Sequence, residues 1–190
     1  MKDFYDVGPL GEIAINLFHG YGYNFYRDEN QLRADDQKAR TLVCELLGRA
    51  RKAVSGAESL FRRERIPTPT RADPFPPPEI LASARQLEAL SQAIGGIEGQ
   101  VRHAPVPEND RMTQRYREEA ATLMALAEKD KLLIGQSATL CALVEGKMPD
   151  VILAGLAEIN EGVTAITMIH ESSYQGFADP ALRFDDRGGR

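Results

Sequence analysis

Three observations predict an all-α chain, an antiparallel four-helix bundle with two long and two shorter helices and an irregular aromatic, glycine-rich N-terminal segment. First, the eleven prolines fall at the joints, leaving 10–66, 79–104, 108–148 and 150–179 free of proline. Proline lacks the backbone donor and clashes with the preceding turn, so it sits at helix starts and between helices. Second, apolar residues within those stretches recur at spacings of three and four, the period of one helical face. Third, acidic residues open the first long stretch and arginines close it, the order that the helix dipole favours.

Helix one is predicted from about Asp28 to Glu64, on the series Ala39, Val43, Leu46, Ala50, Ala53, Ala57 and Leu60, widened by Leu47, Val54 and Phe61. At 1.5 Å per residue it is roughly 55 Å long. Residues 66–78 hold six prolines and predict an extended, semi-rigid connector. Helix two follows to Arg102 with Leu87, Leu90, Ile94, Ile97 and Val101 on one side. Gly95, Gly96 and Gly99 lie late in it, each costing about 1 kcal/mol against alanine. Either a neighbouring backbone approaches there or the helix frays. After Pro105 and Pro107, Asn109 is a suitable N-cap for helix three. That helix runs through Tyr116, Ala120, Leu123, Ala127, Ile134, Cys141 and Val144 to a stop at Gly146. Helix four starts at Pro149 and carries Ile152, Leu156, Ile159, Val163 and Ile166, with His170 on the same face. Gly176, Pro180, Gly188 and Gly189 predict a loosely held tail over 173–190.

Helices one and three outreach the other two, so their early turns need cover. The segment 1–27 holds seven of the thirteen aromatic residues and is expected to fold back over that end as a capping segment. This arrangement brings Tyr21, Tyr23 and Tyr26 near Tyr116 and His170, with the bundle proper spanning 28–172.

An ordinary soluble mixture, 43% hydrophobic and 27% charged, fits one globular domain. The net charge of -5 argues against nucleic acid as a partner, because polyanion affinity depends on clustered Lys and Arg. The arginine-rich end of helix one fits the helix dipole better than a phosphate grip. Ile13–Phe18, the most apolar early stretch, is too short to span a bilayer. A cytoplasmic setting with reduced cysteines and no membrane association is the expectation. Cys44 and Cys141 sit in apolar helical patterns, where a thiol behaves as a small buried hydrophobe.

No catalytic residue, metal or cofactor is assigned. Metal-binding bundles use Glu-x-x-His pairs, whereas Asn16, Gln100 and Thr167 stand three positions before the three histidines. His170, Glu171 and a carboxylate such as Glu119 fall short of a ligand set. Ser137 lacks the closing glycine of a nucleophile elbow. Asp130 and Ser137, seven apart on the apolar stripe of helix three, are polar groups whose burial costs energy unless they are paired. The plainer reading sets Asp130 at the rim of a wide face.

The run 16–27 alternates aromatic rings with Gly20 and Gly22, which permit tight turns between rigid, polar-tipped surfaces. Its docking residues are His19, Tyr21, Tyr23, Tyr26 and Arg27, joined by Tyr116 and His170. The functional expectation is a non-enzymatic accessory or adaptor protein that self-associates as a homo-oligomer and docks this segment on a protein partner. The alternative is a small-molecule or cofactor-binding protein, conceivably an enzyme, with its pocket under the same segment. A closed cavity of several hundred Å³ favours the alternative.

Overall fold

The computed structural model describes residues 8, 10–14, 29–71, 75–104 and 119–178. Among them there is no strand, and the helices α1 (Glu29–Arg65), α2 (Pro78–His103), α3 (Glu119–Val144), α4 (Pro149–Ala154) and α5 (Leu156–Ala178) pack as a bundle. The proline logic holds at both helix starts it marks most sharply. Pro78 and Pro149 occupy the first turns of α2 and α4, where the missing N–H has no intrahelical role. At the other end of α3, Gly146 takes a positive φ of 67° and closes the helix in the left-handed conformation that glycine adopts without strain.

α1 spans 37 residues and packs along both α2 and α3, α5 lies on α3, and α2 and α5 touch only sparsely. Arg62 meets Glu88, Arg51 meets Glu98 and Arg40 meets the Ala104 carbonyl, so α1 and α2 run in opposite directions. α1 then continues past the end of α2 through Glu29–Ala39. The stripe residues Val43, Leu47, Val54 and Phe61 of α1 are buried, as are Leu87, Ile94 and Val101 of α2. Ile134 and Val144 of α3, with Ile152, Ile159 and Ile166 beyond the turn, complete one contiguous core.

Four features depart from the sequence reading. The helix expected to begin at Pro149 is interrupted at Gly155, whose φ of -90° and ψ of 7° separate α4 from α5. Glycine's weak helical preference allows the bend, while Gly155 N–H to Val151 and Ile159 N–H to Gly155 keep the backbone ladder running across it. A Cβ at Gly155 would lie 3.5 Å from the Val151 carbonyl oxygen and 3.7 Å from Ile159 Cδ1, ordinary contact distances. Gly155→Ala is therefore expected to stabilise the fold by about 0.5–1 kcal/mol through the unfolded chain's lost freedom, read from urea denaturation.

α5 also runs on to Ala178, beyond the tail boundary expected at Ser172. One glycine at 176 does not stop a helix, whereas Pro180 restricts the residue before it. The N-terminal segment is not wholly irregular, since residues 10–14 are helical and Leu10 and Ala14, four apart on one face, are both buried. Neither expectation for the late glycines of α2 is met. The helix stays intact to His103, a Cβ at Gly95 would come within 3.0 Å only of the Arg51 side chain, and Gly96 and Gly99 face open space.

Candidate functional site

A polar cluster lies where α2 ends. Its last N–H, that of Ala104, turns back to Val101 O at 3.4 Å rather than to Gln100, so the Gln100 and Ala104 carbonyls have no regular helical donor. A side chain from α1 caps the second of them. Arg40 of α1 donates through Nη1 to the Ala104 carbonyl at 2.7 Å, and His170 of α5 lies near enough for the Gln100 backbone and Arg40 to bear on its protonation.

The Arg40 guanidinium is itself fixed from behind. Its Nε donates to Asp36 Oδ1 at 3.0 Å and its Nη2 stands 2.9 Å from Asp36 Oδ2, a two-point pairing one helical turn apart. Asp36 is 1% exposed and Arg40 7%. Burial pushes the Asp36 carboxyl above its ordinary value, against the opposing charge and hydrogen bond of Arg40. His170 is half-buried, and its imidazole is held below the usual histidine value, first by burial and then by the Arg40 charge. The Gln100 carbonyl and Glu171 oppose that shift without reversing it.

Beside this cluster, a half-open cleft of about 520 Å³ runs between α1 and α2, lined among others by Gln37, Arg40, Cys44, Glu98, Arg102 and Ala104. Its charges are largely matched within the protein. Glu98 meets Arg102 at 2.6 Å and Arg51 at 3.4 Å, while Arg40 is engaged by Asp36. Cys44 points its Sγ toward the Glu98 carbonyl at 3.8 Å, and burial raises its thiol pKa. Cys141, a free thiol like Cys44, is raised by burial and by Glu145. Burial therefore disfavours the thiolate at both positions, as the apolar patterns imply.

Of the residues singled out in the sequence, His19, Tyr21, Tyr23, Tyr26, Arg27 and Tyr116 lie outside the described residues. His170 belongs to the cluster at the end of α2. Several arginines of α1 are drawn into ion pairs. Arg49 grips Glu145 through two contacts of 3.1 and 2.6 Å, Arg62 pairs with Glu58 and Glu88, and Arg65 reaches Asp150 at 2.9 Å. Asp130 is half-buried. Ser137 is fully buried, and its Oγ has no hydrogen-bond partner among the described residues. Ser137→Ala should accordingly leave stability unchanged or raise it by up to about 1 kcal/mol in chemical denaturation.

Sequence reasoning missed this pair: it placed Asp36 only among the acidic residues that open the first helix and gave Arg40 no role. The signal was present. Stepping back from Val43 by three and then four residues gives Arg40 and Asp36, an oppositely charged pair on the buried stripe itself. Gln136, 1% exposed, was also missed.

Among the described residues no group of three or more His, Cys, Asp and Glu side chains could hold a metal ion. None of the described helices is long and apolar enough to cross a membrane. Comparison with protein-family models, curated proteins and solved structures finds no match to this chain.

Proposed function

We propose that this chain is a non-enzymatic helical accessory or adaptor protein that self-associates and docks its N-terminal aromatic segment on a protein partner. The scaffold in this reading is an antiparallel four-helix bundle, with α1 and the helix that includes α3 as its two long members. The observation that carries the reading is the anchoring of residues 10–14. Leu10 is 2% exposed and its carbonyl lies against Gly135 of α3. The aromatic run 16–27 is thus bracketed in the chain by a docked stretch before it and α1 after it. Bracketing lowers the entropy cost of presenting a recognition segment. Exposed Met148, Val151 and Met168 supply apolar surface for a second copy.

The α1–α2 cleft supports a second reading, a small-molecule binder, since its volume falls within the range of ligand pockets. The charged side chains at its rim are largely paired within the protein, which favours the adaptor.

The test compares the full chain with the Tyr21→Ala/Tyr23→Ala variant by sedimentation, circular dichroism and cross-linked co-purification from native extract. The adaptor reading expects a defined oligomer and a stoichiometric protein partner that the variant loses while keeping its helicity. A monomer that co-purifies with a small molecule and no protein would replace it with the second reading. Loss of helicity in the variant would assign the tyrosines to the core.

A further inference from the structure

The joint between α1 and α2 holds its apolar groups outward. Ile66 and Thr68 precede Pro67 and Pro69, and Phe75, Pro76 and Pro77 each precede a further proline, which disfavours the helical region at all five and pushes them to extended backbone. Pro77 shows the result. Its φ of -53° and ψ of 135° lie close to the polyproline II pair of about -75° and 145°. Both ends of the joint are fastened. The Ile66 N–H donates to the Arg62 carbonyl at 3.1 Å, closing α1, and the Leu81 N–H donates to the Pro77 carbonyl at 3.2 Å, opening α2. Among the described residues, the Phe75 and Pro76 carbonyls accept no backbone hydrogen bond.

Phe75 is 80% exposed, the most of any large apolar side chain among the described residues, although a ring of this size ordinarily finds cover in a fold. Pro67, Pro69 and Pro77 are exposed beside it in the chain. A ring and prolines held outward on a stiff, extended backbone lose little entropy when a partner closes on them. Charge points the same way. Arg63 and Arg71, on the α1 side of Phe75, are exposed, and among the described residues neither enters an ion pair, whereas Arg62 and Arg65 do.

We propose that residues 75–77 are a docking ligand for a protein module whose groove is lined by aromatic rings and edged by carboxylates. The rings take Phe75 and the prolines, and the carboxylates take Arg71. Grooves of this kind recognise preformed polyproline II segments. The site is separate from the N-terminal aromatic segment and acts without it. A second copy of this chain is the poorer fit among the described residues, because the α1–α2 cleft has no aromatic lining residue and the other exposed large apolar side chains are Met148, Val151 and Met168.

The test titrates the purified full chain against a panel of SH3 and WW domains, with and without acidic groove edges, by calorimetry at low and moderate salt. Saturable one-to-one binding by at least one acidic-edged module is expected, weakening as salt rises. Phe75→Ala should cost about ten-fold or more in affinity and Arg71→Glu about three-fold or more. Both variants should keep wild-type helicity, since neither side chain is buried. Tyr21→Ala/Tyr23→Ala should bind the module as wild type does, which separates this site from the adaptor reading. The proposal is overturned if no module binds, or if Phe75→Ala or Arg71→Glu binds as tightly as wild type. It is equally overturned if no module binds while Phe75→Ala dissociates a wild-type oligomer, a result that assigns the ring to a second copy.

Discussion

Arg40→Met is expected to destabilise the fold by about 3–5 kcal/mol at neutral pH, because it leaves the Asp36 carboxylate buried without its counter-charge. Asp36 is only 1% exposed, and Arg40 supplies its two-point pairing. The loss should shrink as pH falls, since a stranded carboxyl takes up a proton rather than remain ionised in a dry site. The double variant Asp36→Leu/Arg40→Met should recover most of it, as replacing both members of a buried pair by apolar groups is often neutral. About 1 kcal/mol should remain lost, the worth of the Ala104 carbonyl's cap. Urea denaturation of the three variants at pH 7.5 and 5.0 reads all of this. A single variant within a few tenths of a kcal/mol of wild type would mean that solvent reaches Asp36.

Gly135→Ala is the second substitution with a large expected effect, and its sign is the informative part. In a free helix alanine is better than glycine by about 1 kcal/mol, so a helix with nothing against position 135 would gain stability. Here a Cβ would stand 2.5 Å from the Leu10 carbonyl oxygen and 2.8 Å from Leu10 Cβ. Neither is the yielding tip of a long side chain, so the N-terminal stretch must move. Exposing Leu10, now 2% exposed, forfeits about 1.5–3 kcal/mol, and the net expectation is a loss of about 1–2 kcal/mol. Leu10→Ala provides the control. With the leucine already removed, adding Gly135→Ala should cost much less than it does alone, a coupling that a double-mutant cycle measures directly. Stabilisation by Gly135→Ala in the wild-type background would show that residues 10–14 are not seated on α3 in solution. The adaptor reading would then lose its supporting observation.

Much of the bundle was legible in the residues. The series from Ala39 to Phe61 and from Leu87 to Val101 forms buried faces, and Gly146 ends α3 where a left-handed residue was expected. These features depend on backbone sterics and on the helical period, which act within a few residues and are written locally. Gly155 was harder to read, because an isolated glycine either continues a helix or bends it, according to what packs alongside. The helical stretch at 10–14 was hidden for a related reason. It is too short to be stable alone and forms only against a partner, and that partner's key residue, Gly135, lies far along the chain.

By itself the sequence determined the helical class, the main breaks between helices and the faces that turn inward, since proline chemistry and hydrophobic spacing need no distant neighbour. Only the tertiary structure decided which charged residues are buried, what caps the end of α2, and where the N-terminal stretch docks. Asp36, Arg40, Gln100, Ala104 and His170 become one cluster because α1, α2 and α5 converge there. The environment of a charge is set by all the groups around it, most of which lie on other helices, so its desolvation and pairing could not be read from α1 alone.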